Sequence, residues 1–139
     1  MAYSSFRPGQ VWLDTNGKPI QAHGGKVFVA DDAYYFYGEN KEKTLPGSGI
    51  WHYGVRAYSS QDLYNWKDEG LILPPVEDDK THPLHPTRIM DRPHILYNDK
   101  TKTYVMWMKL VGTAERPNNW EDCYMGVAVA DRITGPFKL

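Results

Sequence analysis

The apolar and polar positions of this chain follow a layout that occurs twice. One pair of short apolar runs lies within residues 26–39 and a second pair within residues 93–108, and a polar turn divides each pair. Short runs rich in aromatic and β-branched residues, bounded by turn residues, are typical of β-hairpins. The pattern therefore predicts two hairpins, each entered through a short polar segment, at residues 22–25 and 91–92.

Further strand signals follow each hairpin. After the first hairpin they lie at residues 53–60 and 67–73. After the second they lie at residues 124–130, and residues 131–139 match the approach to the fourth strand of the first unit. The two units align with an offset of about 70 residues, as Tyr35 does with Tyr104. Four strands in a repeat of this length are typical of β-propeller blades. A closed sandwich of eight strands would use the same segments.

We predict an all-β fold in one domain, 1–139, with two four-stranded antiparallel propeller blades at about 20–73 and about 91–139. Propellers typically have four to eight blades, and two cannot close a ring. We therefore expect the chain to be the opening part of a longer protein, or to find its remaining blades in another copy as a homo-oligomer.

Composition narrows the functional classes. The chain has 16 Lys and Arg against 17 Asp and Glu, for a net charge of −1, so nothing favours nucleic acid or an anionic membrane as a partner. No apolar run is long enough to span a bilayer. Residues 1–8 lack the apolar core of a signal peptide. We expect a cytoplasmic protein, or an extracellular one if a leader was trimmed.

Candidate chemistry lies where the innermost strands begin, because these strand ends converge in a propeller. The internal alignment places His23 over Asp91 and Gly24 over Arg92, so the four positions should share one pocket. Asp91 is either a structural partner of Arg92 or a carboxylate that orients a substrate hydroxyl. Glu39, at the end of an aromatic strand, is either a solvated strand end or a pocket acid.

Other residues divide between binding and structure. His23, beside two glycines, could lie close to a ligand or be a buried, hydrogen-bonded histidine. Trp51 follows a Gly-rich loop and is a candidate for stacking on a sugar ring, whereas the other four tryptophans are predicted in the core or between blades. His82 and His85 stand between prolines, so we expect no metal site there. The sequence has no phosphate loop or nucleophile elbow, and we expect no cofactor.

Several motifs together resemble glycoside hydrolase family 43, the five-bladed β-propeller glycosidases, in the branch of exo-β-1,3-galactanases and arabinofuranosidase-like proteins. They cover nearly the whole chain in the right order: GKPIQAHGG at 17–25, YYFYGENK at 34–41, YSSQDLYNWK at 58–67, DRP at 91–93 with Tyr97-Asn98, and TGPF at 134–137. The resemblance implies that the chain holds the first two of five blades.

The resemblance implies an inverting glycosidase whose general acid comes from the third blade, outside this chain. His23-Gly24 stands where most of the family has the aspartate base, as in the galactanase-like branch. Asp91 replaces that branch's usual glutamate, one methylene longer. By the resemblance, Asp91 is a catalytic carboxylate that orients the substrate and tunes the acid. Glu39 is a second pocket acid, and the remaining substrate-binding residues are Gln21, His23, Arg92 and Trp51.

Two functional hypotheses follow. The first is a glycoside hydrolase, or its N-terminal part, that acts on an oligosaccharide or glycoside of plant type with galactosidase or arabinofuranosidase specificity. The second is a non-catalytic carbohydrate-binding or assembly module formed from incomplete blades, whose open sheet edges would favour association. The sequence leaves the sugar, the linkage and the oligomeric state undecided.

Overall fold

The computed structural model describes residues 2–139, which form seven β-strands in two antiparallel sheets. The strands are β1 (His23–Ala30), β2 (Ala33–Glu39), β3 (Val55–Ser60), β4 (Lys67–Leu73), β5 (Ile89–Asn98), β6 (Thr103–Val111) and β7 (Cys123–Ala130). The first sheet has the order β1-β2-β3-β4 and the second β5-β6-β7. The all-β prediction with blade-like sheets is confirmed. Met1, where the predicted domain begins, lies outside the described residues.

The second sheet has three strands, one fewer than predicted. Residues 131–139 form turns, and their pairing with the sheet is a single bridge between Val129 and Lys138. Pro136 has no backbone N–H to donate to a strand partner. The Phe137 N–H instead donates to the Ile72 carbonyl of the first sheet at 2.7 Å. Residues 131–137 therefore form a turn that contacts the first sheet and leads to the bridge at Lys138.

The two predicted hairpins are present, and local chemistry explains their turns. Asp31 and Asp32 join β1 to β2 with φ of 49° and 56°, the left-handed conformation that two-residue hairpin turns require. In the second turn the Asn98 side chain accepts the N–H of Lys100 at 3.0 Å. Asn and Asp tolerate these conformations because their short side chains hydrogen-bond nearby backbone.

The core lies between the two sheets and includes apolar residues from both. Its fully buried members include Val55, Ile72, Met90, Ile95, Met106, Met108 and Leu110. Burial of such a side chain stabilises the fold by about 1.5–3 kcal/mol. The Tyr37 hydroxyl also accepts the Ile95 N–H at 2.8 Å, and this bond joins β2 to β5. The sheets are thereby fixed against each other.

The opposite face of the second sheet is apolar and exposed. Its large exposed side chains are Leu96, Trp107, Met125, Val127 and Val129. A contiguous apolar surface on a soluble domain usually marks an interaction site. Within residues 2–139 no helix is both long and apolar enough to span a membrane.

Candidate functional site

The entrances of β1 and β5 lie together, and an irregularity in each strand sets their geometry. The pairing of β1 shifts between His23 and Lys26, and that of β5 between Asp91 and His94. Such bulges bend a strand and redirect its side chains. The predicted convergence of the two entrances is confirmed at Gly24, where an added Cβ would lie 3.8 Å from the Arg92 Cγ atom.

Gly24 is required by space and by backbone conformation. Its φ is +61°, and an added Cβ would lie 3.0 Å from the Oε1 atom of Glu39. The left-handed conformation costs other residues about 1–2 kcal/mol. Glycine therefore lets β1 approach the Glu39 carboxyl group, the first of two carboxyl groups at this site.

Glu39 is not a solvated strand end. Its side chain is fully buried, its Oε1 atom accepts the Arg92 N–H at 3.1 Å, and the Lys41 ammonium lies 2.6 Å from its Oε2 atom. Burial, and then the nearby carboxyl of Asp91, raise the pKa of Glu39 to about 7 against the lowering by Lys41 and the Arg92 N–H. Glu39 therefore titrates close to neutral pH.

Asp91 is the second carboxyl group, within hydrogen-bonding reach of Glu39. Its Oδ2 atom lies 2.7 Å from the Lys109 ammonium and 3.6 Å from Arg92 Nε. Burial raises the pKa of Asp91, but the hydrogen bond with Glu39 and the two cations together bring it below its usual range. We call Glu39 and Asp91 the carboxyl pair. The predicted partnership with Arg92 exists, yet Lys109 lies closer.

Two lysines and two tryptophans flank the carboxyl pair, and we call them the lysine–tryptophan collar. Lys41 Nζ donates to the Trp51 carbonyl at 2.7 Å and lies 4.5 Å from the centroid of that indole. Lys109 Nζ lies 4.5 Å from the Trp120 centroid. The indoles meet edge to face, with centroids 6.4 Å apart. Trp51 therefore lies at the site, one lysine away from the carboxyl pair.

The prediction that Trp120 lies in the core is wrong, since its side chain is 53% exposed and contacts Trp51, and its placement between blades stays a prediction. The sequence analysis also missed Lys41 and Lys109. A signal was present for Trp120, because it lies in a long polar loop like Trp51. Lys109, on β6, had none: only the pairing of Asp91 with Lys109 brings the two together.

Gln21 and His23 reach the site from the first sheet. The side chains of both line a groove that also includes Lys41. Gln21 Oε1 accepts the Lys41 N–H at 3.2 Å. His23 is the strand partner of Glu39 and is exposed, so it is not the buried histidine that one interpretation allowed. Arg92 has an 80% exposed side chain at the same entrance.

Three further histidines, His52, His82 and His85, have structural roles. His52 is fully buried behind the site, and its Nδ1 atom accepts the Gly54 N–H at 2.9 Å. Burial, and then the charge of Lys41, lower the pKa of His52 to about 3. His82 and His85 accept N–H groups of their own loop. Within residues 2–139 no three His, Cys, Asp or Glu side chains are grouped to hold a metal ion.

No protein-family model matches this chain. No curated protein matches it either. Solved structures do match, along nearly its whole length. The exo-β-1,3-galactanase of Phanerochaete chrysosporium, solved with galactose, is 29% identical with a TM-score of 0.79, and the match covers 94% of this chain and 28% of that one.

Two further solved structures are similar. A β-1,3-galactosidase of glycoside hydrolase family 43, solved with galactodeoxynojirimycin, is 37% identical with a TM-score of 0.76, and the match covers 94% of this chain and 36% of that one. An exo-β-1,3-galactanase from Clostridium thermocellum is 31% identical with a TM-score of 0.74, and the match covers 94% of this chain and 25% of that one. The chain thus spans between a quarter and little more than a third of their lengths.

Proposed function

The chain belongs to glycoside hydrolase family 43, and on that premise we propose that its protein is a glycosidase that releases galactose from β-galactosyl linkages of plant-type glycans. The names of the similar structures support this substrate, since they are galactanases and a galactosidase, solved with galactose or galactodeoxynojirimycin. The observation in this chain that carries the proposal is the carboxyl pair, which lies between two lysines and two tryptophans at converging strand ends.

We assign the carboxyl pair to substrate binding. Inverting glycosidases use an acid and a base about 6.5–9.5 Å apart, on opposite sides of the scissile bond. Glu39 and Asp91 are within hydrogen-bonding reach of each other, too close to flank a bond with a water molecule between them. The general acid and the activator of water therefore come from other parts of the whole protein.

Each predicted residue then has a role in binding one sugar. Asp91 orients a sugar hydroxyl and influences the general acid, while the buried Glu39 holds the Asp91 carboxyl group in position. Trp51 offers an aromatic face to the apolar C–H face of the ring. Arg92, His23 and Gln21 line the entrance to this subsite. Sugar hydroxyls are well matched to charged and polar groups of this kind because charge-assisted hydrogen bonds are strong.

Hydrolysis of nitrophenyl β-galactosides and arabinofuranosides by the full-length protein tests the proposal. We expect turnover of the galactoside, and we expect Asp91→Asn to reduce kcat/KM by at least about 100-fold because a charge-assisted contact to substrate is lost. Asp99→Asn removes an exposed carboxylate from a hairpin turn and is the matched control. Preference for the arabinofuranoside, or unchanged kcat/KM in Asp91→Asn, would contradict the proposal.

A second candidate is the non-catalytic carbohydrate-binding or assembly module. The exposed apolar face of the second sheet favours it, since such a face gains stability when another sheet covers it. This candidate predicts a defined oligomer of the 139-residue chain that binds galactose without hydrolysing any glycoside. Light scattering, together with the same glycoside screen, distinguishes it from the glycosidase.

A further inference from the structure

The carboxyl pair and the lysine–tryptophan collar form a closed ring of contacts. In order around the ring stand Trp51, Lys41, Glu39, Asp91, Lys109 and Trp120, with Trp120 again touching Trp51. The ring combines residues of both sheets with residues of two long loops. It places two ammonium groups and two carboxyl groups beside one another, each ammonium against a different carboxyl.

The two carboxyl groups are not equivalent. The Asp91 side chain is 14% exposed and has two cationic nitrogens near it, Lys109 Nζ at 2.7 Å and Arg92 Nε at 3.6 Å. The Glu39 side chain is completely buried and has one, Lys41 Nζ, at 2.6 Å. A negative charge costs most where burial is deepest and cations are fewest. Of the two groups, Glu39 is therefore the costlier to ionise.

Two carboxyl groups in hydrogen-bonding reach share one proton at pH values where either alone would be ionised. We propose that the two lysines of the collar are positioning residues that fix this proton on Glu39. Glu39, which is buried, then donates this proton in a hydrogen bond to Asp91, and Asp91 is the charged acceptor for the substrate. The inference rests on the proposed function for its substrate, a neutral sugar with neighbouring hydroxyl groups.

The two lysines of the collar have different roles. Lys109 stabilises the Asp91 carboxylate, which makes Asp91 the member of the pair that gives up its proton first. Lys41 contacts the Oε2 atom of Glu39 and fixes the direction of that carboxyl group. Each ammonium lies against an indole face, Lys41 on Trp51 and Lys109 on Trp120, and cation–π attraction limits its movement.

The other charged or titratable groups around Glu39 act more weakly. The Arg92 side chain on β5 is 80% exposed, so solvent screens its charge. His23 on β1 is the strand partner of Glu39, but it is exposed as well. The Arg92 backbone N–H donates to Glu39 Oε1 in either protonation state. The half-buried lysines are therefore the groups that distinguish the two carboxyls.

This arrangement makes sugar binding depend on pH. Burial and Asp91 raise the pKa of Glu39 to about 7, in agreement with the geometry. Above that pH the hydrogen bond from Glu39 to Asp91 is lost, and a second negative charge repels the Asp91 carboxylate that accepts from the sugar. We expect the affinity for galactose to fall there by up to about tenfold per pH unit, the limit for loss of one required proton.

Carboxyl-carbon NMR of the 139-residue chain, titrated from about pH 3 to about pH 9, tests the inference directly. Glu39→Gln and Asp91→Asn assign the two signals. We expect Asp91 to titrate first and Glu39 near neutral pH, and we expect calorimetry with galactose to show weaker binding through the Glu39 step. A Glu39 signal that titrates together with exposed glutamates, or before Asp91, would overturn the inference.

Substitution of the two lysines distinguishes a role in positioning the proton from a purely structural role. Lys41→Met should raise the pKa of Glu39 by about one unit or more, because a nearby cation is lost. The same variant should therefore bind galactose up to a higher pH. Lys109→Met should raise the pKa of Asp91 for the same reason. Lys41→Arg and Lys109→Arg keep the charge and should restore each profile. Met variants that titrate like the Arg variants would contradict a positioning role.

The two levels of proposal can fail separately. If the carboxyl signals titrate as expected but calorimetry of the full-length protein shows no galactose binding at any pH, the proposed function is overturned and the assignment of the proton stands. If galactose binds with no pH dependence between about pH 5 and about pH 9 and Glu39 titrates in the ordinary carboxyl range, the proposed function stands and the positioning role is overturned. The titration of the wild-type protein distinguishes these two outcomes even where a Met variant does not fold.

Discussion

At the scale of single residues, the site depends on close approach between a glycine and a buried carboxyl group. Gly24 has a left-handed backbone and lies against Glu39, and Glu39 in turn lies between Lys41 and Asp91. A change of one atom at Gly24 therefore acts on the position of the Glu39 carboxyl group. A change of one proton at Glu39 acts on the stability of the whole fold.

We predict that Gly24→Ala lowers the free energy of unfolding by about 1–2 kcal/mol, the cost of a left-handed alanine, and also weakens galactose binding. The second effect follows because the new Cβ would press on Glu39 Oε1 at 3.0 Å. Gly17→Ala is the matched control, since Gly17 also has a positive φ, +79°, but no atom within 4 Å of an added Cβ. Urea unfolding and calorimetry measure both effects; equal galactose affinity in the two variants would contradict the prediction.

The buried Glu39 should also make stability depend on pH. Its pKa rises from an ordinary 4.5 to about 7, so between these values the folded protein keeps a proton that the unfolded chain loses. The contribution of Glu39 to the free energy of unfolding therefore falls as pH rises through this window, by up to about 1.4 kcal/mol per pH unit. Glutamine carries no such charge, so Glu39→Gln should gain stability relative to wild type from pH 4.5 to 7.

Urea unfolding at several pH values measures this difference. His52 changes stability in the opposite direction, because its pKa of about 3 leaves it neutral while the unfolded chain protonates below 6.5. His52 is present in both proteins, so its effect cancels when they are compared. Glu121→Gln, in an exposed loop, is the control for loss of one carboxyl group. A constant difference between Glu39→Gln and wild type would rule out the buried proton.

At the scale of secondary-structure elements, the relation between the two sheets determines the site. Glu39 ends β2 and Asp91 lies near the start of β5, so the carboxyl pair forms only when the sheets are correctly placed. Besides apolar packing, a buried hydrogen bond from Ile95 N–H to the Tyr37 hydroxyl fixes that placement. This bond couples the geometry of the site to the stability of the core.

We predict that Tyr37→Phe lowers the free energy of unfolding by about 1–3 kcal/mol, because the buried Ile95 N–H loses its partner. Tyr35→Phe, two residues earlier on the same strand, removes a hydroxyl from a half-buried side chain and should change stability by less than about 0.5 kcal/mol. Chemical denaturation of both variants measures the difference. Equal effects would show that the inter-sheet hydrogen bond does not stabilise the fold.

At the scale of the whole molecule, one large surface remains apolar. The outer face of the second sheet exposes Trp107 and its cross-strand neighbour Val127, among others. The chain matches structures that are roughly three to four times longer, over 94% of its own length. We propose that another sheet covers this face, in the whole protein or in an assembly of copies.

We predict that the 139-residue chain self-associates at micromolar concentrations and that Val127→Lys reduces this association. The reason is that a charge on the apolar face opposes its removal from water. Val11→Lys is the matched control, because Val11 is 72% exposed and lies outside both sheets. Light scattering over a concentration series measures the mass. A monomeric wild-type chain at all concentrations would contradict this prediction.

The sequence could predict features that depend on neighbouring residues. The hairpins at β1–β2 and β5–β6 follow from runs of β-branched and aromatic residues with Asp or Asn turns, and the internal repeat placed Gly24 over Arg92 correctly. The match of residues 131–139 to the approach of a fourth strand did not reveal the hydrogen bond from the Phe137 N–H to the Ile72 carbonyl. This N–H donates to a carbonyl group of the other sheet, and no local pattern indicates such a partner.

The sequence by itself determined the all-β class, the repeat and the identity of the carboxyl groups, because turn chemistry and strand periodicity are local properties. Only the tertiary structure decided that Glu39 and Asp91 lie within hydrogen-bonding reach of each other and that Lys41 and Lys109 stand beside them. The tertiary structure also showed that Trp120 is exposed and contacts Trp51 at the site. The physical reason is that burial and charge interactions depend on distances across sheets, and residues 52 positions apart, such as Glu39 and Asp91, acquire those distances only on folding.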